Sequence, residues 1–198
     1  MSRNLTTVVA TLVAFSAVLG RLWVFGLVRQ GTDAMSPALE AGEVALFWRQ
    51  ATPEPGDLVV VELPDEPGVL HVKRLLARGP ASVELVEGAL FVDGERLGEP
   101  VPEPRTWSDS LCRERTTLLT LEHIGERQWS VEANGDAALQ DLSAGTLWVL
   151  GDLRGSSEDS RQWGPLRPEW VKGVVAWRIP GPNPCGGGRR WERFGRVL

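Results

Sequence analysis

The sequence predicts a mainly β protein carried behind a single N-terminal transmembrane helix, with a β-rich insertion in its middle. Three observations predict it. Twenty-two Gly and 14 Pro in 198 residues cut the chain into short segments, which favours strands and turns over long helices. Between these breakers lie apolar, β-prone runs of roughly four to eight residues, the length of buried strands. Ahead of them, Leu5 to Gly20 carries no charge at all.

Taken in order, residues 1–4 form a short end and residues 5–22 the membrane span. A bilayer core needs roughly 20 apolar residues as helix, so the span borrows Asn4 and Arg21 at its ends, with Arg21 snorkelling and Trp23 at headgroup depth. A cleaved signal peptide is the competing reading, but no clean Ala-x-Ala site follows. Arg3 on one side and Arg21 and Arg29 on the other leave the orientation unread. Gly31 to Leu39 is a turn rich in small residues, ahead of every predicted strand. Val44 to Trp48, Leu58 to Leu63 and Val69 to Leu76 then read as strands, separated by Pro53 to Asp57 and Pro64 to Gly68. On the third of these, Val69, His71, Lys73 and Leu75 share a face by period-two alternation, so Lys73 points with apolar neighbours.

Residues 81–144 read as the insertion, with an Asp93-Gly94 hairpin and weaker alternation through Leu118 to Leu121 and Trp129 to Val131. Leu147 to Leu150 is a further buried strand, Leu153 to Gly164 a polar loop, and Gly173 to Ile179 the last strand. The core is therefore 23–80 with 145–180. Residues 181–198 form a Pro/Gly linker and a basic tail, read either as a frayed end or as a segment on an anionic membrane surface.

Apolar content of 42% and charged content of 24% are ordinary for a globular chain. A net charge of -5 and a pI near 5.2 provide no broad basic footprint, which argues against nucleic acid as a partner. Cys112, Cys185, His71 and His123 stand in no metal-ligand spacing, so no metal is expected. The two cysteines are equally readable as a disulfide or as free thiols.

The chemistry-bearing residues fall in four stretches: Thr32-Asp33-Ala34-Met35-Ser36-Pro37, Gly56-Asp57-Leu58-Val59-Val60, Lys73-Arg74, and Gly151-Asp152-Leu153-Arg154 running on to Ser157, Asp159, Arg161 and Gly164. Read blandly, Lys73-Arg74 is a solvated basic pair and Asp159 with Arg161 a surface ion pair of little worth. In this order and spacing the four stretches resemble the type I signal peptidases of bacteria, over roughly residues 21–79 and 147–179. The Gly-Leu-Pro-Gly-Asp usual after the Lys-Arg pair is here Leu76-Ala77-Arg78-Gly79-Pro80.

The resemblance implies a signal-peptidase-like antiparallel β catalytic domain, anchored by one span in the bacterial plasma membrane with the domain on the extracytoplasmic side. It implies a serine endopeptidase that needs no cofactor, with the bilayer and the signal peptides of exported preproteins as partners. Lys73 would be the general base, Ser157 would orient its amine, and Thr32 with the backbone N–H of residue 34 would form the oxyanion hole. Asp159 with Arg161 would brace the loop, and Met35 would wall a pocket for a small side chain. A free lysine has a pKa of about 10.4, and bringing it near neutrality takes roughly 4 kcal/mol of differential interaction, which burial can supply.

One position departs from the family. The nucleophile turn there reads Ser-Met-x-Pro, whereas this chain has Ala34-Met35-Ser36-Pro37, with no oxygen at position 34 to attack a carbonyl. An inactivated variant, a natural pseudoenzyme and a nucleophile displaced to Ser36 are the three explanations. Two rival functions stand beside the peptidase: a site using His71 as base, Ser36 as nucleophile and Asp33 as acid, and a binding protein that captures signal peptides without cutting them.

Overall fold

The computed structural model describes residue 7, residues 24–101 and residues 103–197. The membrane span expected over 5–22 lies outside the described residues, apart from Thr7. Among the described residues no helix is long and apolar enough to cross a membrane.

The strands in chain order are β1 Phe25–Arg29, β2 Val44–Trp48, β3 Leu58–Val61, β4 His71–Arg78, β5 Ala81–Val86, β6 Ala89–Val92, β7 Glu95–Arg96 and β8 Gly98–Pro100. They continue with β9 Arg105–Ser108, β10 Glu114–Thr117, β11 Thr120–Ile124, β12 Arg127–Val131, β13 Ala137–Leu142, β14 Leu147–Leu150, β15 Val171–Ile179 and β16 Gly195–Arg196. Every pairing between them is antiparallel. The main sheet runs β1-β2-β15-β3-β4-β14, with β16 added to β15. Strands β5 to β13 leave it and build a four-stranded sheet (β13-β5-β6-β7), a three-stranded one (β12-β11-β8) and the β9–β10 hairpin.

The runs that read as buried strands are the centre of this sheet. β3 is Leu-Val-Val-Val with all four side chains buried, and β14 is buried throughout. β4 lies between them, in register Val59 to Lys73 on one side and Leu150 to Arg74 on the other. A strand covered on both faces buries consecutive side chains, which is how two adjacent basic residues come to be 4% and 0% exposed. The Asp93-Gly94 turn joins β6 to β7, as its sequence predicts, with φ of 51° and 78°.

Three readings are corrected. β1 precedes the Gly31 to Leu39 turn; its apolar residues run on from the hydrophobic segment before it, which hides the strand signal. The polar loop after β14 is partly helical: Arg154–Ser156 forms a 3₁₀ turn and Ser160–Trp163 the short helix α1. Asp159 caps α1 and Gln162 returns the bond to the Asp159 N–H, a capping box written in the sequence as Asp-x-x-Gln. Finally, the described part of the tail is not frayed. It folds back so that β16 pairs with β15, and Arg193 reaches Glu43 at 2.6 Å.

Cys112 and Cys185 form a disulfide across 73 residues, tying the β9–β10 hairpin to the segment after β15. That resolves the choice left open by their spacing.

Candidate active site

The residues given site roles in the sequence come from three places: the turn after β1, the middle of β4, and the loop after β14 together with the start of α1. Lys73 projects from β4 on the face that carries Leu75, packed in one cluster with Val59, Val61 and Val149. Trp163 of α1 covers it, with the ring centroid 5.4 Å from Nζ. Val69 takes no part in this packing; it precedes the strand and is 48% exposed. The Lys73 amine donates to Ser157 Oγ at 2.9 Å. Burial drives its pKa down to about 8; Asp159 pulls it back up, Arg161 pushes it further down, and Glu158 and Asp152 favour the charged form more weakly.

The backbone of position 34 approaches Ser157 across Gly151. The Ala34 carbonyl accepts from the Leu153 N–H at 3.0 Å, which holds the turn against the loop after β14. Gly151 marks how tight the junction is: a methyl group there would overlap the Ser157 hydroxyl and come within 2.7 Å of the Ala34 oxygen. Ala34 itself is buried, and its side chain holds no donor, acceptor or nucleophile. The Ala34 N–H faces Thr32 Oγ1 at 3.4 Å, and Gln30 Nε2 reaches the same hydroxyl at 3.3 Å and the Thr32 carbonyl at 2.8 Å. With both contacts directed at its oxygen, the Thr32 hydroxyl keeps its own proton to donate. A cavity of about 290 Å³ opens at Thr32, bounded by Asp33, Trp107, Ser110, Glu132 and Ser156.

The loop is locked from behind by buried charge. Asp159 accepts from the Gly151 N–H at 3.0 Å and from Arg161 Nε at 2.8 Å, while Arg161 Nη2 caps the carbonyls of Arg154 and Ser157. With Asp159 fully buried this is no solvated surface pair. Arg74 and Asp152 form a two-pronged pair, and Arg154 donates to the Gly151 carbonyl and to both oxygens of Glu122 on β11. The loop also joins the insertion through its backbone, Glu132 N–H to Asp152 and Arg154 N–H to Glu132.

The other predicted residues fall elsewhere. Met35 is fully buried in the cluster with Leu39 and Phe47 and so forms the packed floor of the turn. Ser36 is buried with no hydrogen-bond partner for its hydroxyl. His71 is bonded to Glu66 at 2.8 Å with its ring tilted against Trp163, and the Asp33 carboxylate accepts from the N–H and hydroxyl of Ser110. In the histidine-centred rival, His71 and Asp33 are thus engaged with separate partners and the Ser36 hydroxyl is bonded to neither. Among the described residues no cluster of His, Cys, Asp and Glu has the arrangement of a metal site. Sequence reasoning placed Gly151, Asp152 and Trp163 in the loop motif without giving them a role, and it missed Gln30 and Glu122, which carry no local signal.

The chain is similar in sequence to known signal peptidases. Signal peptidase I of Pseudomonas aeruginosa is 29% identical over 165 residues, covering 73% of this chain and 57% of that protein. Signal peptidase I of Pseudomonas fluorescens is 30% identical over 128 residues, covering 62% and 44%, and signal peptidase I V of Bacillus subtilis is 24% identical over 153, covering 72% and 79%. The chain thus spans about half the length of the two Pseudomonas relatives. The sequence pattern of the family described as signal peptidase, peptidase S26, matches residues 2–179. That stretch takes in the turn, the lysine strand and the locked loop together, and the chain belongs to the S26 signal peptidase family.

Proposed function

We propose that this site is built to cleave signal peptides from exported preproteins by a serine and lysine pair, and that the present chain holds such peptides without cutting them. The observation that carries the reading is the dry amine of Lys73, lowered to about 8 and fixed on Ser157, beside a turn whose residue 34 lacks only an oxygen. With a hydroxyl at position 34, the neutral amine would take its proton as the oxygen attacked the scissile carbonyl. The resulting oxyanion would be met by the Thr32 hydroxyl and by the N–H of residue 34, which would exchange its 3.4 Å contact with Thr32 Oγ1 for the oxyanion, and the lysine would return the proton to the leaving amine. Alanine keeps that N–H, so recognition of the carbonyl survives while chemistry does not. Ser36 is no substitute: its hydroxyl lies buried two residues away, and attack requires about 3 Å.

The substrate would be an extended segment with small residues at the cut and two positions before it, laid along the turn above Met35. The domain would work on the extracytoplasmic side of the bacterial plasma membrane, anchored by the apolar span over 5–22. The disulfide between Cys112 and Cys185 supports a compartment outside the reducing cytoplasm.

The test is Ala34→Ser, assayed on a lipid-embedded preprotein. Cleavage should appear and be abolished again by Lys73→Ala. A folded A34S protein that binds precursor but leaves it whole would replace the peptidase reading with that of a binding module.

A further inference from the structure

We infer that Arg193, in the basic tail, is a positioning residue for the turn that carries position 34. The tail meets the turn at Pro37, Glu40 and Glu43, whereas the 151–161 loop meets it at Ala34. Its 3₁₀ turn, Trp191–Arg193, is followed by β16 on β15, with Phe194 against Trp177 at 5.6 Å. From there the Arg193 guanidinium, 14% exposed, donates to the Pro37 carbonyl at 3.1 Å and grips Glu43 with two bonds of 2.6 and 3.0 Å. Nη1 lies 3.2 Å from Glu40. Arg178 of β15 completes the clamp, donating to the carbonyls of Arg193 and Ala38 at 2.6 Å each.

Two successive carbonyls of the turn, Pro37 and Ala38, are therefore satisfied by guanidiniums from the C-terminal part of the chain. Carbonyls of a turn have no strand partner, and the donor that meets them fixes where the turn sits. Glu43 extends the hold to the other leg: its carbonyl accepts the Gln30 N–H at 2.8 Å, and the Gln30 side chain holds Thr32. Arg193 thus touches one end of the turn directly and the other through Glu43 and Gln30. A planar fork holds a carboxylate with two parallel bonds and a carbonyl with a third in one fixed geometry, whereas an ammonium is a rotatable point charge without that fixed arrangement. The bland alternative is an ion pair that only staples the tail.

This rests on reading position 34 as the nucleophile position, and Ala34→Cys separates the two ideas. Cys112 and Cys185 are paired, so under non-reducing conditions the introduced thiol is the single free one. Its alkylation rate by iodoacetamide, followed against pH, reports its acidity and exposure. In A34C the midpoint should lie below that of an ordinary thiol because of Lys73, and Lys73→Met should remove that effect. An A34C profile indifferent to K73M would overturn the dyad reading itself.

Adding Arg193→Ala should raise the midpoint and slow alkylation at pH 7 about tenfold, the change expected for one unit of thiol pKa. The charges acting on Lys73, namely Asp159, Arg161, Glu158 and Asp152, are untouched by it. Arg193→Lys keeps the charge but not the fork, and should shift the profile the same way by less. Three results would overturn the proposal: an R193A profile equal to that of A34C, faster alkylation at every pH, which marks simple loosening, or full recovery by R193K, which assigns the effect to charge alone. Where R193A does not fold, R193K is read by the same profile, and equality with A34C overturns the proposal.

Discussion

Arg74 and Asp152 face each other with both side chains fully buried, bonded at 2.8 and 2.6 Å. The pair joins β4, one residue from Lys73, to the loop, one residue from Gly151. Arg74 also donates to the Gly56 carbonyl at 2.9 Å and lies over the Trp129 ring at 4.6 Å, so its charge is fully partnered. Such a pair contributes little over an apolar replacement, but removing one partner strands the other. Asp152→Asn should therefore cost about 3 to 5 kcal/mol of stability, read in urea as a lower midpoint with an unchanged slope. A loss under about 1 kcal/mol would mean that water reaches the guanidinium.

The lowered pKa of Lys73 sets a pH profile. In A34S the cleavage rate should climb through a midpoint near 8, where the ammonium loses its proton, and fall about tenfold for each pH unit well below it. Ser157→Ala added to A34S leaves the amine without its fixed partner. It should lower kcat by about ten- to a hundredfold with KM little changed. A flat profile from pH 6 to 9 would show that the amine is not the base.

Much of this arrangement was legible, and what was not has a physical reason. Period-two alternation placed Lys73 with apolar neighbours, because a strand's faces follow from local order alone. It could not show that Arg74 is equally buried, since Asp152 lies 78 residues away and nothing near Arg74 announces it. The tail failed for the same reason: Arg193 finds Glu43 across 150 residues, and a basic, Gly-preceded end read alone resembles any loose terminus. β1 was hidden by composition, its Phe, Leu and Val continuing an apolar run already assigned to the membrane. The missing oxygen at position 34, by contrast, was visible from one letter.

The buried amine also ties stability to pH. Lys73 binds its proton less readily folded than unfolded, so between about 8 and 10.5 the unfolded chain carries more protons and stability rises with pH. Below that window the full cost of the buried charge is present. Lys73→Met should accordingly stabilise the protein at pH 7, by up to about 3 kcal/mol less the lost bond to Ser157. That advantage should shrink as pH approaches 10.5. Denaturant melts of both proteins at pH 7 and pH 10 measure it, since contributions from other groups cancel in the difference. An advantage that grows with pH would reverse the sign and contradict a desolvated amine.

Gly151 tests the closeness of the junction without touching a polar group. Its backbone is not left-handed, so alanine meets no conformational objection there, only a steric one. The added methyl would displace the Ser157 hydroxyl and press on the Ala34 carbonyl, at 2.7 Å, moving apart the two groups that must converge. Gly151→Ala should cost about 1 to 3 kcal/mol. In the A34S background it should remove most cleavage, because a misplacement of about 1 Å at reacting atoms can cost a hundredfold. Gly155→Ala, four residues along the same loop, is the control: its methyl would meet nothing closer than the Asn134 amide at 3.4 Å, an ordinary contact. Equal cleavage by the two alanine variants would show that the turn and the Ser157 loop have room to spare, and that their approach is not what holds residue 34 to the lysine.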